Sequence, residues 1–486
     1  MSGQDLEDGG PATGAADREA GQEYWCELAW LPPGQVAEGV LVRVAEGRIT
    51  EVTPGVVAPP GAVRLAGLTL PGFANAHSHA FHRALRGRAQ HAPARSAPGH
   101  AVDAIAPAGP SDFWTWRERM YELASVLDPD AYLALARATY AEMALAGITC
   151  VGEFHYLHHG PGGVPYDEPN IMGHALIQAA RDAGLRVALL DTCYLTGGIG
   201  AGLAGPQTRF GDGDALRWAA RADELAAAYA DAPDVEIGAA VHSVRAVPPE
   251  QMPVVAEFAH RHAGPLHTHL AEQRAEVEAC VAAYYATPAQ VLHDRGVLGP
   301  RTTAVHATHL SDVDFALLGG SSSHVCLCPT TERDLADGIG PARRLADAGC
   351  PITLGSDSQA VIDLLEEARA VELGERVTTN RRGHWDAAGL LCMLTADGNA
   401  ALGFPDAGFL LPGARADLVS IRLDTPRTAG AAPDNAAETV LYAATAADVH
   451  SVVAGGRRVV ADGVHELGDV GALLREAIAA IPWEKA

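Results

Sequence analysis

The sequence predicts an α/β protein: a (β/α)8 TIM-type barrel carrying a small β-sandwich domain formed by both chain ends. Three observations point there. Eight apolar β-like runs alternate with Ala/Leu-rich helical stretches, nearly every run finishes in His, Glu, Asp, Arg or Thr, and short β-like runs between Gly and Pro turns occupy both ends of the chain.

Taken in order, residues 1–21 are Gly, Ala and acidic residues without periodicity, which reads as a disordered acidic tail. Residues 22–68 hold GVLVRVAEG, RITEV and AVRLAG, and residues 411–486 hold ADLVSIRL and HSVVAGGRRVVADG. Short strands need partners, so the two ends are expected to combine in one sandwich. Residues 69–410 form the expected barrel. Its strand candidates are LTLPGFANAHSH, GITCVGEFHY, RVALLDTCYL, VEIGAAVHSVR, PLHTHLAE, TAVHATHL, HVCLCPTTE and PITLGSDS, separated by helices such as DAYLALARATYAEMALA and PEQMPVVAEFAHRHA. Their near-continuous apolar character fits strands buried on both faces. A doubly wound sheet is the rival, but no glycine-rich phosphate turn follows the first strand. The Pro/Ala/Gly-rich stretch 89–110 reads as a mobile loop near the site or a disordered insertion.

Composition narrows the function. No apolar run reaches the ~18 residues of a membrane helix, and the acidic N-terminus lacks a hydrophobic signal core, so a soluble, cytoplasmic protein is expected. A net charge of −25 argues against nucleic acid or an anionic membrane as partner, though not against a small anion met by a few arginines. The eight cysteines form no CxxC pair. The single lysine, Lys485, rules out interior Schiff-base chemistry and any lysine-derived metal bridge.

Polar residues at the C-terminal ends of barrel strands converge on one face. His77 and His79 alternate along the first strand, so their side chains point the same way and can share an ion. A lone HxH is weak evidence, but HTHLAE adds His267, His269 and Glu272, VHATHL adds His306 and His309, and GSDS adds Asp357. Three imidazoles and one carboxylate suit zinc or another divalent transition metal, with His77, His79, His269 and Asp357 as candidate ligands and a position left for water.

These residues resemble the amidohydrolase superfamily in its mononuclear deaminase branch: HxH after strand one, His on strand five followed three residues later by Glu, His on strand six and Asp on strand eight. The segments HSHAFHRAL, FWTWRERMY, GEFHYLHH, HSVRAV, HTHLAEQ, VHATHL, CPTTERDLADG and GSDS are further similar to the formiminoglutamate deiminase family, over roughly residues 69–410. That resemblance implies hydrolysis of N-formimino-L-glutamate to N-formyl-L-glutamate and ammonia, a step of histidine degradation. It implies one divalent ion per subunit, expected to be Zn2+, and a homodimer.

It also implies roles. Asp357 would ligate the metal and accept the water's proton, Glu272 would deliver a proton to the imine nitrogen, and His306 would orient the nucleophile and stabilise the tetrahedral intermediate. Arg117 and Arg245 would clamp the substrate's two carboxylates, with Tyr156 as hydrogen-bond donor, while Trp114 and Trp116 are read as packing. Two positions depart from the family pattern: His82, counted with the substrate-binding residues, stands where Gln is expected, and Gln359 stands where His is expected, so that a changed specificity is expected wherever these side chains touch the substrate. The alternatives are a deaminase of an aromatic base or nucleoside, which needs no carboxylate clamp, and a barrel that binds metal or ligand without turnover.

Overall fold

The computed structural model describes residues 21–90 and 112–483. Nearly all of the expected tail, most of the 89–110 stretch, and Lys485 lie outside the described residues.

The described residues begin with four strands, β1 (Gln22–Leu31), β2 (Gln35–Ala45), β3 (Arg48–Thr53) and β4 (Val63–Pro71). Eight barrel strands follow: β5 (Phe73–Ser78), β6 (Ile148–His155), β7 (Arg186–Cys193), β8 (Val235–Val241), β9 (Leu266–Leu270), β10 (Thr302–His306), β11 (His324–Leu327) and β12 (Ile352–Leu354). The last four, β13 (Leu418–Ile421), β14 (Val449–Ala454), β15 (Arg457–Ala461) and β16 (Val464–His465), return to the first sheet. Both chain ends therefore build one eight-stranded layer in the order β16-β15-β14-β13-β4-β1-β2-β3. Tyr24, Val42 and Leu65 from its N-terminal half share a core with Leu418 and Val453 from its C-terminal half.

The barrel strands run parallel in chain order, each paired with the next. Helices cross between them, as parallel pairing requires. The helix expected in DAYLALARATYAEMALA spans Pro129–Leu145, capped by the Asp128 side chain accepting from the Ala131 amide. The one in PEQMPVVAEFAHRHA spans Met252–His262 and ends on Ala263 in the left-handed region. The barrel closes where β12 meets β5. Asn75 and Ser356 exchange two hydrogen bonds, Asp357 N donates to His77 O, and His79 N donates to Asp357 O.

One run differs from its sequence reading. LTLPGFANAHSH is two strands: β4 in the outer sheet and β5 in the barrel, separated at Gly72. A side chain at Gly72 would sit 2.2 Å from Thr149 Oγ1 and 2.7 Å from Asp417 Cβ, so only glycine lets the chain pass between the layers. Behind that crossing, Arg186 of β7 and Asp417 form an ion pair at 2.6 Å with side chains 6% and 1% exposed. Among the described residues no helix is long and apolar enough to cross a membrane. Seven of the eight cysteines are buried free thiols, in keeping with small hydrophobes, and Cys392 is exposed.

Candidate metal centre and active site

The candidate residues meet at the C-terminal ends of the barrel strands. His77 lies in β5 and His79 just beyond it, His269 lies in β9, His306 ends β10, and Asp357 follows β12. The backbone bends sharply there: Ala271, His306, Ala307, Asp357 and Gln359 all have positive φ, between 42° and 70°. Non-glycine residues hold that conformation at a cost of about 1–3 kcal/mol each, and such strain gathers at functional sites.

His77, His79 and His269 bring one ring nitrogen each to within 4.8 Å of one another, all buried. His79 Nδ1 faces Phe154 O at 3.0 Å and His269 Nδ1 faces His242 O at 2.9 Å. A carbonyl only accepts, so each Nδ1 carries the proton and each Nε2 presents a bare lone pair. His77 leaves both ring nitrogens buried without a hydrogen-bond partner. Asp357 Oδ1 stands 3.4 Å from His77 Nε2 and 3.5 Å from His79 Nε2. That is close to the ~3.3 Å between donor atoms sharing a tetrahedral ion at about 2.0 Å.

The electrostatics agree. Burial, the largest cause, pushes His77 below its ordinary pKa, and pushes His79 and His269 well below, with neighbouring imidazoles adding to it. Burial alone would raise Asp357, but His77, His306 and His79 outweigh it and hold the carboxyl well below the usual range. Neutral imidazoles beside an ionised carboxylate are what a divalent cation needs. Unpartnered buried nitrogens, fixed tautomers and donor spacing thus all fit a metal.

Glu272 and His306 stand beside this cluster. Glu272 Oε1 is 3.8 Å from His306 Nε2, and burial pushes the Glu272 carboxyl up to about 7 against the pull of His306 and Arg245. Burial would lower His306, but Glu272, Glu332 and Asp357 raise it well above its ordinary value; Glu332 lies 3.4 Å from His306 Nδ1.

The helix α1 (Phe113–Val126) roofs the cavity, its start fixed by reciprocal hydrogen bonds between Asp112 and Thr115. It turns Phe113, Trp116, Arg117, Met120 and Tyr121 onto one face, the i, i+3, i+4, i+7, i+8 stripe of a helix, and all five line the cavity with His79, Asp357 and Glu272. Arg117 stacks on Trp114 at 4.5 Å, and its buried Nε has no hydrogen-bond partner among the described residues. Arg245 also lines the cavity, but its Nε donates to Glu276 at 2.8 Å and its terminal nitrogen lies 3.6 Å from Glu272. Tyr156 and His82 face each other in the wall at 3.0 Å, and burial pushes His82 down to about 3.

Every residue singled out for the metal, acid–base and substrate roles therefore lies in or around one cavity. Two readings change. Trp116 lines the cavity at 5.0 Å from His82 as well as packing. Gln359 lies behind the site: its Nε2 donates to Ser78 Oγ and Asp357 O, bracing the barrel seam, so of the two departures His82 lines the cavity and Gln359 does not. His267 sits deeper in the barrel with Nε2 3.4 Å from Ala401 O, and His309 is not in the cavity wall. Sequence reasoning missed His242, which lines the cavity 4.5 Å from the Tyr194 ring and orients His269 through its carbonyl. Its position at the end of an apolar strand, three residues before Arg245, was the available signal.

A (β/α)8 barrel gathering three neutral imidazoles, a carboxylate and a buried acid at its strand ends has the donors and the proton carrier of a metal-dependent hydrolase. The chain matches the Amidohydrolase family model over residues 68–459 and belongs to that family. It is 35% identical to the formimidoylglutamate deiminase of Pseudomonas aeruginosa, covering 91% of this chain and 95% of that one. The 8-oxoguanine deaminase of the same organism is 31% identical over 91% of this chain and 94% of its own. Among solved structures, an amidohydrolase from Brucella melitensis superposes with a TM-score of 0.83 at 32% identity, covering 95% of this chain and 99% of that one. An adenosine deaminase from Xanthomonas campestris with bound zinc shares the fold at TM-score 0.78 and 24% identity, over 95% and 97%. The chain is thus an amidohydrolase-superfamily deaminase.

Proposed function

We propose that the protein hydrolyses N-formimino-L-glutamate to N-formyl-L-glutamate and ammonia. The observation that carries this reading is Arg117: a guanidinium lining the cavity, its buried Nε without a hydrogen-bond partner among the described residues, in a chain with net charge −25. A substrate carboxylate supplies that partner, and Arg245 offers a second cation in the same wall. Two carboxylates on a linear amidine match two arginines facing a buried acid.

His77, His79, His269 and Asp357 would hold one divalent ion, zinc by the character of the donors. Such an ion supplies Lewis-acid activation of water. Asp357, ionised and facing the cavity, accepts the proton that the attacking water loses. Glu272, whose carboxyl is raised toward neutrality, carries a proton within reach of the amidine nitrogen, so that the departing group leaves as ammonia. His306, held between Glu272 and Glu332, donates to the oxygen on which negative charge develops. His82 and Tyr156 hydrogen-bond the substrate from the wall.

A second reading, an aromatic-base deaminase, is favoured by the 8-oxoguanine deaminase relative and by the aromatic wall of Phe113, Trp116, Tyr121 and Tyr194. Ammonia release by zinc-reconstituted protein, measured with N-formimino-L-glutamate, 8-oxoguanine, guanine and adenosine side by side, separates the two. Release from formiminoglutamate alone supports the proposal; release only from a base overturns the substrate and leaves the metal centre standing.

A further inference from the structure

Beneath the cavity a second donor cluster shares one carboxylate with the first. Asp357 splits its two oxygens: Oδ1 faces His77 and His79, while Oδ2 lies 3.8 Å from His306 Nε2. Cys328, just past the end of β11, completes this other side. Its thiol, His306 and Asp357 bring one donor atom each to within 4.8 Å of one another, and all three residues are buried. Glu332 fixes the arrangement from both ends. One of its oxygens accepts from the Cys328 amide at 2.9 Å and stands 3.4 Å from His306 Nδ1, leaving Nε2 turned toward Asp357.

We propose that Cys328, His306 and Asp357 form a second, inhibitory site for a thiophilic divalent cation such as Cd2+ or excess Zn2+. The inference rests on the metal centre proposed above, because Asp357 would bridge the two ions through its separate oxygens. A thiolate, an imidazole and a carboxylate are a donor set that soft and borderline divalent ions select over Mg2+ or Ca2+. Binding is a simple exchange: the Cys328 S–H bond and any N–H bond at His306 Nε2 break, the protons pass to solvent, and S–metal and N–metal bonds form without change of oxidation state. An ion there withdraws His306 from the substrate and adds positive charge beside the acid–base pair. The enzyme would then require one ion and be silenced by a second.

Protein holding one zinc per subunit would be titrated with Cd2+ after removal of free metal, with bound metal counted by mass spectrometry and thiolate ligation read from the ultraviolet S→Cd charge-transfer absorption. The expected result is a second bound equivalent that brings up the absorption and suppresses ammonia release at least tenfold. In Cys328→Ser and Cys328→Ala the second equivalent and the absorption disappear, while Cys326→Ser keeps both. No second equivalent in the parent protein, or an absorption that survives in both Cys328 variants, overturns the proposal. Should either variant fail to retain its first zinc, 113Cd NMR of Cys392→Ser, which lacks the exposed thiol, decides: a resonance in the thiolate-ligated range supports the site and its absence refutes it. Failure to bind even one zinc would instead count against the primary metal centre.

Discussion

Asp357 Oδ1 lies 3.4 Å from His77 Nε2, and the same two residues are joined by a backbone hydrogen bond from Asp357 N to His77 O at 3.0 Å. The bond that closes the barrel between its eighth and first strands therefore also sets the spacing of two candidate metal ligands. An ion held by these residues would tie coordination to closure, and its binding should stabilise the fold as well as enable chemistry.

Chelation makes that measurable. A ligand at a thousand times its dissociation constant contributes about 4 kcal/mol to stability, so removing the metal should lower Tm by roughly 5 °C. Asp357→Ala should abolish the metal-dependent part of Tm together with activity. A Tm indifferent to chelator in the parent protein would show that the seam carries no ion.

Glu272→Gln should keep the metal, since no ligand is touched, and lower kcat by about 10^2- to 10^4-fold through loss of the proton donor. Metal content and turnover measured on the same sample decide it. Near-normal turnover would remove Glu272 from the mechanism.

Arg117→Ala should raise KM for a dicarboxylate substrate by about 10- to 100-fold with a smaller effect on kcat, the loss of one charge-assisted contact. Arg245→Ala should raise KM and also lower kcat, because Arg245 stands 3.6 Å from Glu272 and helps set its charge. If the two variants lose kcat and KM in the same proportions, the division of labour between the arginines is wrong.

Glu236 in β8 offers a test of pH linkage away from the metal centre. Burial raises its carboxyl from 4.5 to about 7. The folded chain thus holds a proton that the unfolded chain has already released, and stability is lost as pH rises from about 4.5 through 7. Glu236→Gln should gain about 1 kcal/mol at pH 8, discounted for its partial exposure, and almost nothing near pH 4. Urea unfolding at the two pH values reads this out; an equal gain at both would point to packing instead.

Much of this was legible in the sequence because the signals were local and repeated. Eight apolar runs with polar ends define the barrel, and His77, His79, His269 and Asp357 each sit at such an end. The illegible parts were long-range. Nothing around His242 announces that its carbonyl orients His269, because the contact spans two adjacent strands. Gln359 sits two residues after Asp357 yet turns away from the cavity to brace the seam, since Ser78 and Ser356 supply its partners from β5 and the β12 turn. The LTLPGF run hid a crossing between two layers that only the crowding around Gly72 exposes.

The buried pair of Arg186 and Asp417 gives the molecule a further property: its two layers are expected to melt together. A guanidinium in the barrel wall is neutralised by a carboxylate from the outer sheet, and removing that carboxylate, as in Asp417→Ala, would strand a buried charge at a cost of about 3–5 kcal/mol. The architecture looks modular in sequence, but a calorimeter should record a single cooperative transition, with neither layer available as an independent folding unit.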